Sequence, residues 1–259
     1  FAIAMFVWEK IPLAVTSMVV CVALVLTGVL NLKQAFAGFI DTNVILFVAM
    51  FIVGGALFET GMANKVGGVI TRFAKTEKQL IFTIMVVVGV MSGFLSNTGT
   101  AAVLIPVVIG VAAKSGFARS RLLMPLVFAA ALGGNLSLIG APGNLIAQSA
   151  LQNIGSGFGF FEYAKLGLPM LVCGVIYFLT IGYKFLLNHP NRGEVGSVGE
   201  QRDYSHVPRW KQILSFVVLI ATILGMIFEK QTGVSLAVAG CIGALVLVVT
   251  GVLTEKQAY

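Results

Sequence analysis

Charge is scarce in this chain. Asp, Glu, Lys and Arg make up 10% of its 259 residues, and hydrophobic residues 58%. Ordinary soluble domains carry about 25% charge. Too few polar side chains are present to clothe a soluble fold of this length. Several apolar runs approach the roughly 20 residues that a helical membrane span needs. None alternates with a period of two, which argues against an outer-membrane barrel. The expected fold class is an all-α polytopic membrane protein. The net charge is +7. Its basic residues lie in the loops between apolar runs, as the positive-inside rule requires, so no nucleic-acid partner is expected.

Other absences narrow the chemistry. No Asp, Glu, His, Lys or Arg stands in the middle of an apolar run; Asp41, Glu59 and Glu229 lie at the ends. Proton-driven carriers usually hold a titratable group within the membrane, so sodium is favoured as a coupling ion. Cys21, Cys173 and Cys241 are isolated and odd in number. They read as small core residues and support neither a disulfide frame nor a metal site. The two histidines, His189 and His206, share one polar loop and read as solvated. No nucleophile–base pair exists at membrane depth, so the chain is not expected to be an enzyme. Phe1 opens inside an apolar run with no basic n-region or small-residue cleavage site. No signal peptide is read there, and the start is expected to be a cut edge.

Taken in order, residues 1–8 end one span, 13–30 form a second and 44–58 a third. Residues 60–78 place apolar side chains at helical spacing between Lys65, Arg72, Lys75 and Lys78, which predicts a helix lying on the membrane surface. Residues 79–95 and 100–113 flank a polar knot. At 1.5 Å per residue these arms would be roughly 25 and 21 Å long. Against a core of about 30 Å, that favours a re-entrant hairpin over two crossings. Residues 121–152 read as one helix broken in the middle, and 166–187 as a span. Residues 188–211 form a Gly- and Pro-containing linker, and 212–228 and 234–253 are two more spans. The organisation is thus 1–58 scaffold, 59–78 surface helix, 79–187 hairpin with broken helix and following span, 188–211 linker, and 212–259 the opening of a second repeat.

The repeat is visible directly. Residues 11–36 and 234–259 align without a gap and agree at 12 of 26 positions, including Thr-Gly-Val-Leu and Lys-Gln-Ala. One full repeat with five crossings, followed by the first two helices of another, makes the second copy inverted. Inverted repeats with discontinuous helices meeting near the midplane mark many secondary transporters. On this topology fourteen basic residues, Lys10, Lys114 and Arg121 among them, fall on one side and three (Lys33, Lys165 and Lys230) on the other. The richer side is the cytoplasm, where the hairpin opens and the long loops lie.

Two polar breaks carry the candidate site. The first is Ser92-Gly93-Phe94-Leu95-Ser96-Asn97-Thr98-Gly99-Thr100; the second runs from Gly133-Gly134 to Gly140-Ala141-Pro142-Gly143-Asn144. Irregular backbone in a bilayer survives only where protein packs it or it lines a polar cavity. The first arm is expected to end near Leu95, the second to start near Thr100, and the broken helix to stop near Gly133 and resume near Asn144. Helix C-termini favour cations and N-termini anions. Two breaks brought together would therefore serve both without a charged side chain. Ser92 and Ser96, four apart, would share a face if the first arm persisted. Their hydroxyls, Asn97 and freed carbonyls suit a hard cation such as sodium, and Asn97 and Thr98 can donate to an anion. Asn144 reads as an N-cap, Pro142 as the stop to the first half-helix, and the glycines as places of close backbone approach. Each feature also has a structural reading: serine bonding back to its own helix, Gly89 and Gly93 as a GxxxG packing pair, and Gly-Pro-Gly as a kink.

At these residues the chain resembles the divalent anion:sodium symporters of the citrate-transporter-like superfamily. Ser96-Asn97-Thr98 at a hairpin tip, one turn after Ser92, is similar to that family's SNT signature, and residues 133–144 to its glycine-rich break. The resemblance implies two inverted repeats, a dimer formed through the scaffold helices, and an elevator-like movement in a cell (inner or plasma) membrane. It implies sodium at Ser92, Ser96, Asn97, Gly133 and Gly140. It implies a small anion, dicarboxylate or sulfate, near Asn97, Thr98, Gly99, Thr100, Pro142 and Asn144. Ser137, Ala141 and Gly143 depart from the family's usual Thr, Thr and Pro. The second hairpin is expected beyond Tyr259. A passive anion channel and a non-transporting fragment of a carrier are the alternatives.

Overall fold

The computed structural model describes residues 10–63, 76–186 and 207–258, with isolated positions 3, 5, 8, 65 and 204. The expected span end at 1–8, most of the surface helix and both histidines fall largely or wholly outside the described residues. The chain divides into two compact units, 1–45 and 46–259.

The first unit is built on helix Leu13–Leu26, entered from Pro12 at its N-cap. Thr27 turns its hydroxyl back to the Ala23 carbonyl at 2.8 Å, and Gly28 takes a left-handed conformation with φ 71. Asn31 and Gln34 then form a reciprocal capping box for Leu32–Ala35. The repeated segment in the second unit does the same 223 positions later. Its helix is Leu236–Val249, Thr250 bonds back to Val246 at 2.6 Å, Gly251 has φ 70, and a short helix Glu255–Ala258 follows. The shared sequence therefore encodes one local structure twice.

Two apolar cores organise the second unit. In one, Leu46, Val53 and Leu57 of helix Thr42–Glu59 meet Leu219, Ile223 and Met226 of helix Arg209–Ile227 and Leu247. In the other, Ile81, Ile84 and Val88 of a first arm, Glu77–Phe94, meet Leu104, Val108 and Ala112 of a second arm, Asn97–Ser115. Leu122, Leu126 and Ala129, and Val175 and Phe178 of helix Ala164–Leu179, complete it. The start of one arm and the end of the next share a core, so the pair is an antiparallel hairpin. Leu138, Ile139 and Leu145, around the second break, belong to the first core.

Helices Thr42–Glu59, Glu77–Phe94 and Arg209–Ile227 are long and apolar enough to cross a membrane. They also leave large apolar side chains exposed at helical spacing, such as Phe82, Val86 and Val90, or Ile213, Val217, Ile220 and Leu224. Continuous apolar rows of that kind mark surfaces for membrane or protein contact. Cys173 is exposed on such a face, which corrects its reading as a core residue. The hairpin arms are also longer than their sequence suggested. Thr76 caps the first with a box to Gln79, and the second, capped by Ser96, starts at Asn97, three residues before Thr100 is reached. Arms of 18 and 19 residues measure roughly 27 and 28 Å. Length therefore does not separate a re-entrant hairpin from two crossings.

Candidate functional site

The link between the arms is two residues long, Leu95 and Ser96. Leu95 is extended and ends the first arm, and the Ser96 side chain accepts from Gly99 N at 3.1 Å. Ser96 therefore does not continue the helical face of Ser92; it caps the helix that Asn97 begins. Ser92 is fully buried at the end of the first arm. The broken helix stops at Gly133 and resumes at Pro142. Ala141 is its N-cap and Pro142 its first residue, an allowed place for a residue without an N–H. This corrects the capping role expected of Asn144, which lies inside the second half. The first half has already ended at Gly133, nine residues before Pro142, so Pro142 does not stop it.

Asn144 works across the break instead. It is buried, and its side-chain nitrogen donates to the carbonyls of Gly134 at 3.0 Å and Ser137 at 2.9 Å. Ser137 donates its hydroxyl to Gly93 O, tying the break to the end of the first arm. Gln148 fixes the far side, exchanging two hydrogen bonds with the backbone of Phe158, and Tyr163 donates to Asn144 O at 3.0 Å. Buried backbone groups freed by the break are thus taken up by side chains, as a low-dielectric interior demands.

Close approach is what brings the two breaks together. A Cβ on Gly133 would overlap the backbone of Gly89, and one on Gly134 the amide of Asn97. Gly89 and Gly93 are therefore a packing pair, against Leu171 and Gly133 and against Leu136 respectively. Asn97 is laid over Gly134. Four oxygen-bearing groups converge there: Ser92 Oγ, the Asn97 amide, Ala130 O and Gly140 O. Ala130 O belongs to the last turn of the first half-helix, where carbonyls carry partial negative charge. No ionisable side chain lies between Ser92 and Thr100 or between Gly133 and Asn144.

The structure thus gathers Ser92, Asn97 and Gly140 and adds Ala130, which the sequence motifs do not mark. A backbone carbonyl has no residue signature, so only the fold could reveal it. Gly133 packs nearby, its carbonyl accepting from Leu136 N at 2.9 Å. Ser96, Thr98 and Gly99 face another way. They line a cavity of about 260 Å³ with Phe47, Phe51, Phe58 and Phe94. Thr100 is wholly buried, its hydroxyl without a hydrogen-bond partner, and Pro142 is exposed.

The chain matches the citrate transporter family over residues 3–259. It belongs to that family. Among its relatives, Uncharacterized transporter YfbS of Escherichia coli is 36% identical over 184 residues, 70% of this chain and 30% of that protein. Sodium-dependent high-affinity dicarboxylate transporter 3 of Caenorhabditis elegans is 26% identical over 78% of this chain and 40% of that protein. Probable sodium/sulfate cotransporter 3 of Chlamydomonas reinhardtii is 28% identical over 61% and 18%. The chain spans less than half the length of each of these relatives. Each of these three relatives is named as a transporter or cotransporter.

Proposed function

We propose that this citrate transporter family member carries a small divalent anion, dicarboxylate or sulfate, driven by sodium. The observation that carries the reading is the meeting of Ser92 Oγ, Asn97, Ala130 O and Gly140 O at two helix breaks with no charged side chain. A hydroxyl, an amide and two carbonyls are hard oxygen donors, suited to an alkali cation in a site without carboxylates. Ser92, Asn97, Ala130 and Gly140 would hold the ion. Ser96, Thr98 and Gly99, on the wall of the neighbouring cavity, would face the anion at the N-terminal end of the second arm. Gly133, Thr100, Pro142 and Asn144 would shape this site from behind. The names of the nematode and algal relatives support both the ion and the substrate class.

The reading includes a movement of the hairpin with the broken helix, as one body, against a scaffold that includes helix Thr42–Glu59. Inversion of the second repeat, a homodimer through the scaffold, and a cytoplasmic opening of the hairpin in a plasma or inner membrane complete the reading. Counterflow of labelled succinate and labelled sulfate into liposomes holding the full-length protein tests it. Uptake that needs sodium and fails in choline is expected; no sodium-dependent uptake of either anion would sink the proposal.

A further inference from the structure

Glu77 is outnumbered where the first arm begins. Its carboxylate holds Arg121 Nη1 at 3.2 and 3.4 Å and accepts from the Tyr183 hydroxyl at 2.5 Å. The Tyr183 ring in turn gathers two cations, Lys78 Nζ and Arg121 Cζ, each 5.1 Å from its centroid. Arg119 stands in the first turn of the same half-helix as Arg121, and Lys184 follows Tyr183. Glu77 is the only acid in residues 76–82, 117–123 and 180–186, so one carboxylate meets Lys78, Arg119, Arg121 and Lys184. Donors are also left over. Arg121 meets both Glu77 and Tyr183 through Nη1, and its Nε is buried without a partner, as is the Nε of Arg119. Buried donors are normally paired. A guanidinium offers a planar fork of N–H groups that matches phosphate oxygens. Lys78 and Lys184 are exposed beside them.

An apolar ridge runs from this cluster. Lys78 heads a row of the first arm that continues through Phe82, Val86 and Val90, all exposed and four residues apart. Residues so spaced are neighbours on a helix surface. From Lys78 to Val90 the ridge rises about 18 Å, close to the roughly 15 Å of hydrocarbon in one leaflet. Side chains lean toward the N-terminus of their helix, which carries the Lys78 ammonium beyond the apolar row to headgroup depth. We propose that cluster and ridge together bind an anionic phospholipid. Its phosphodiester meets Lys78, Arg119 and Arg121, and one acyl chain lies along Phe82, Val86 and Val90. A zwitterionic headgroup brings its own ammonium, which the basic side chains repel, so the site selects net negative charge. The lipid is not the cargo: Glu77 and Lys78 open the first arm, and the break that follows Phe94 is at its other end. A bound headgroup would reinforce the junction of three helices that Glu77 makes.

The test gives full-length protein in detergent one of three probes: phosphatidylglycerol, phosphatidylcholine with the same acyl chains, or free glycerol phosphate. Native mass spectra should show phosphatidylglycerol held on wild type at collision energies that strip phosphatidylcholine. Phosphatidylglycerol should raise the Tm, and the other two probes should not. The double variant Lys78→Gln, Arg119→Gln keeps the contacts among Glu77, Arg121 and Tyr183, and its affinity for phosphatidylglycerol should fall about tenfold. The double variant Lys165→Gln, Lys256→Gln removes the same charge elsewhere, Lys165 lying at the opposite end of helix Ala164–Leu179 from Tyr183. It should bind phosphatidylglycerol as wild type does. Equal retention of the two lipids by wild type would overturn the site, and that comparison needs no variant to fold. Equal losses in the two double variants would reveal only a response to net charge. Stabilisation by glycerol phosphate equal to that by phosphatidylglycerol would make the cluster a site for a free anion. Either result would also overturn the lipid site.

Discussion

Glu77 and Arg121 form an ion pair, Oε2 to Nη1 at 3.2 Å, between the first turn of the hairpin and the first turns of the broken helix. Both side chains are mostly covered, at 14% and 22% exposed. Tyr183, beyond the end of helix Ala164–Leu179, donates to the same Glu77 oxygen at 2.5 Å, and Arg121 lies over its ring. One carboxylate therefore joins three helices at a common end of the second core. Replacing it by Gln should cost about 1–3 kcal/mol, because Arg121 keeps its charge and loses its partner. The expected result is a lower Tm in detergent for Glu77→Gln and little further loss when Arg121→Gln is added. Additive losses would show that the two residues do not act as a pair.

The same cluster gives a pH dependence. The hydrogen bond to Glu77 first, then burial and the charge of Glu77, raise the Tyr183 phenol above its ordinary value of 10.0, with Arg121 opposing. The folded protein holds that proton more tightly than the unfolded chain. The contribution is whole below the ordinary value and is lost as pH rises through the folded one. Melting curves from about pH 9 to pH 11.5 should fall more steeply for wild type than for Tyr183→Phe. Parallel curves would remove Tyr183 from the titration.

Gly133 sets how close the hairpin and the broken helix come. A Cβ there would overlap the Gly89 carbonyl, whereas at Gly110 nothing lies within 4 Å. Gly133→Ala should lose about 1–3 kcal/mol by forcing two backbones apart. Gly110→Ala should be neutral or stabilising, since Ala favours a helix by about 1 kcal/mol. Equal melting temperatures for the two variants would deny the close crossing.

Asn144 discriminates between bonding and mere size. Its nitrogen donates to two buried carbonyls. Asn144→Ala removes the donor and should cost about 1–3 kcal/mol. Asn144→Asp, nearly the same shape, turns a carboxylate oxygen on those carbonyls and should be worse than Ala at neutral pH. Yield and Tm of the purified variants give the order; an Asp variant as stable as wild type would refute the donor role.

Much of this protein is legible in its sequence, and the reason is the bilayer. Water satisfies polar groups anywhere on a soluble surface, but lipid does not. Ser92, Ser96, Asn97, Gly133 and Asn144 therefore stand out in an apolar chain by residue type alone. The repeated stretch at 13–26 and 236–249 is legible for a related cause, since Thr27, Gly28 and their counterparts Thr250 and Gly251 build the same turn from local bonds alone.

What the sequence determined by itself is local or compositional: a membrane protein, its helices, its two breaks and their residue types. What only the tertiary structure decided is which of those residues meet. Ser92 joins Ala130 across 38 residues, Ser137 joins Gly93 across 44, and Tyr183 joins Glu77 across 106. The Ala130 partner is a backbone carbonyl, which every residue possesses. Asn144 has the residue type of a cap, and only its reach back over the break gives it a different task. Periodicity and hydropathy report the face and medium of a helix. The pairing of buried donors with buried acceptors depends on how two helices cross, here on Gly89 against Gly133, and that is settled only when the chain has folded.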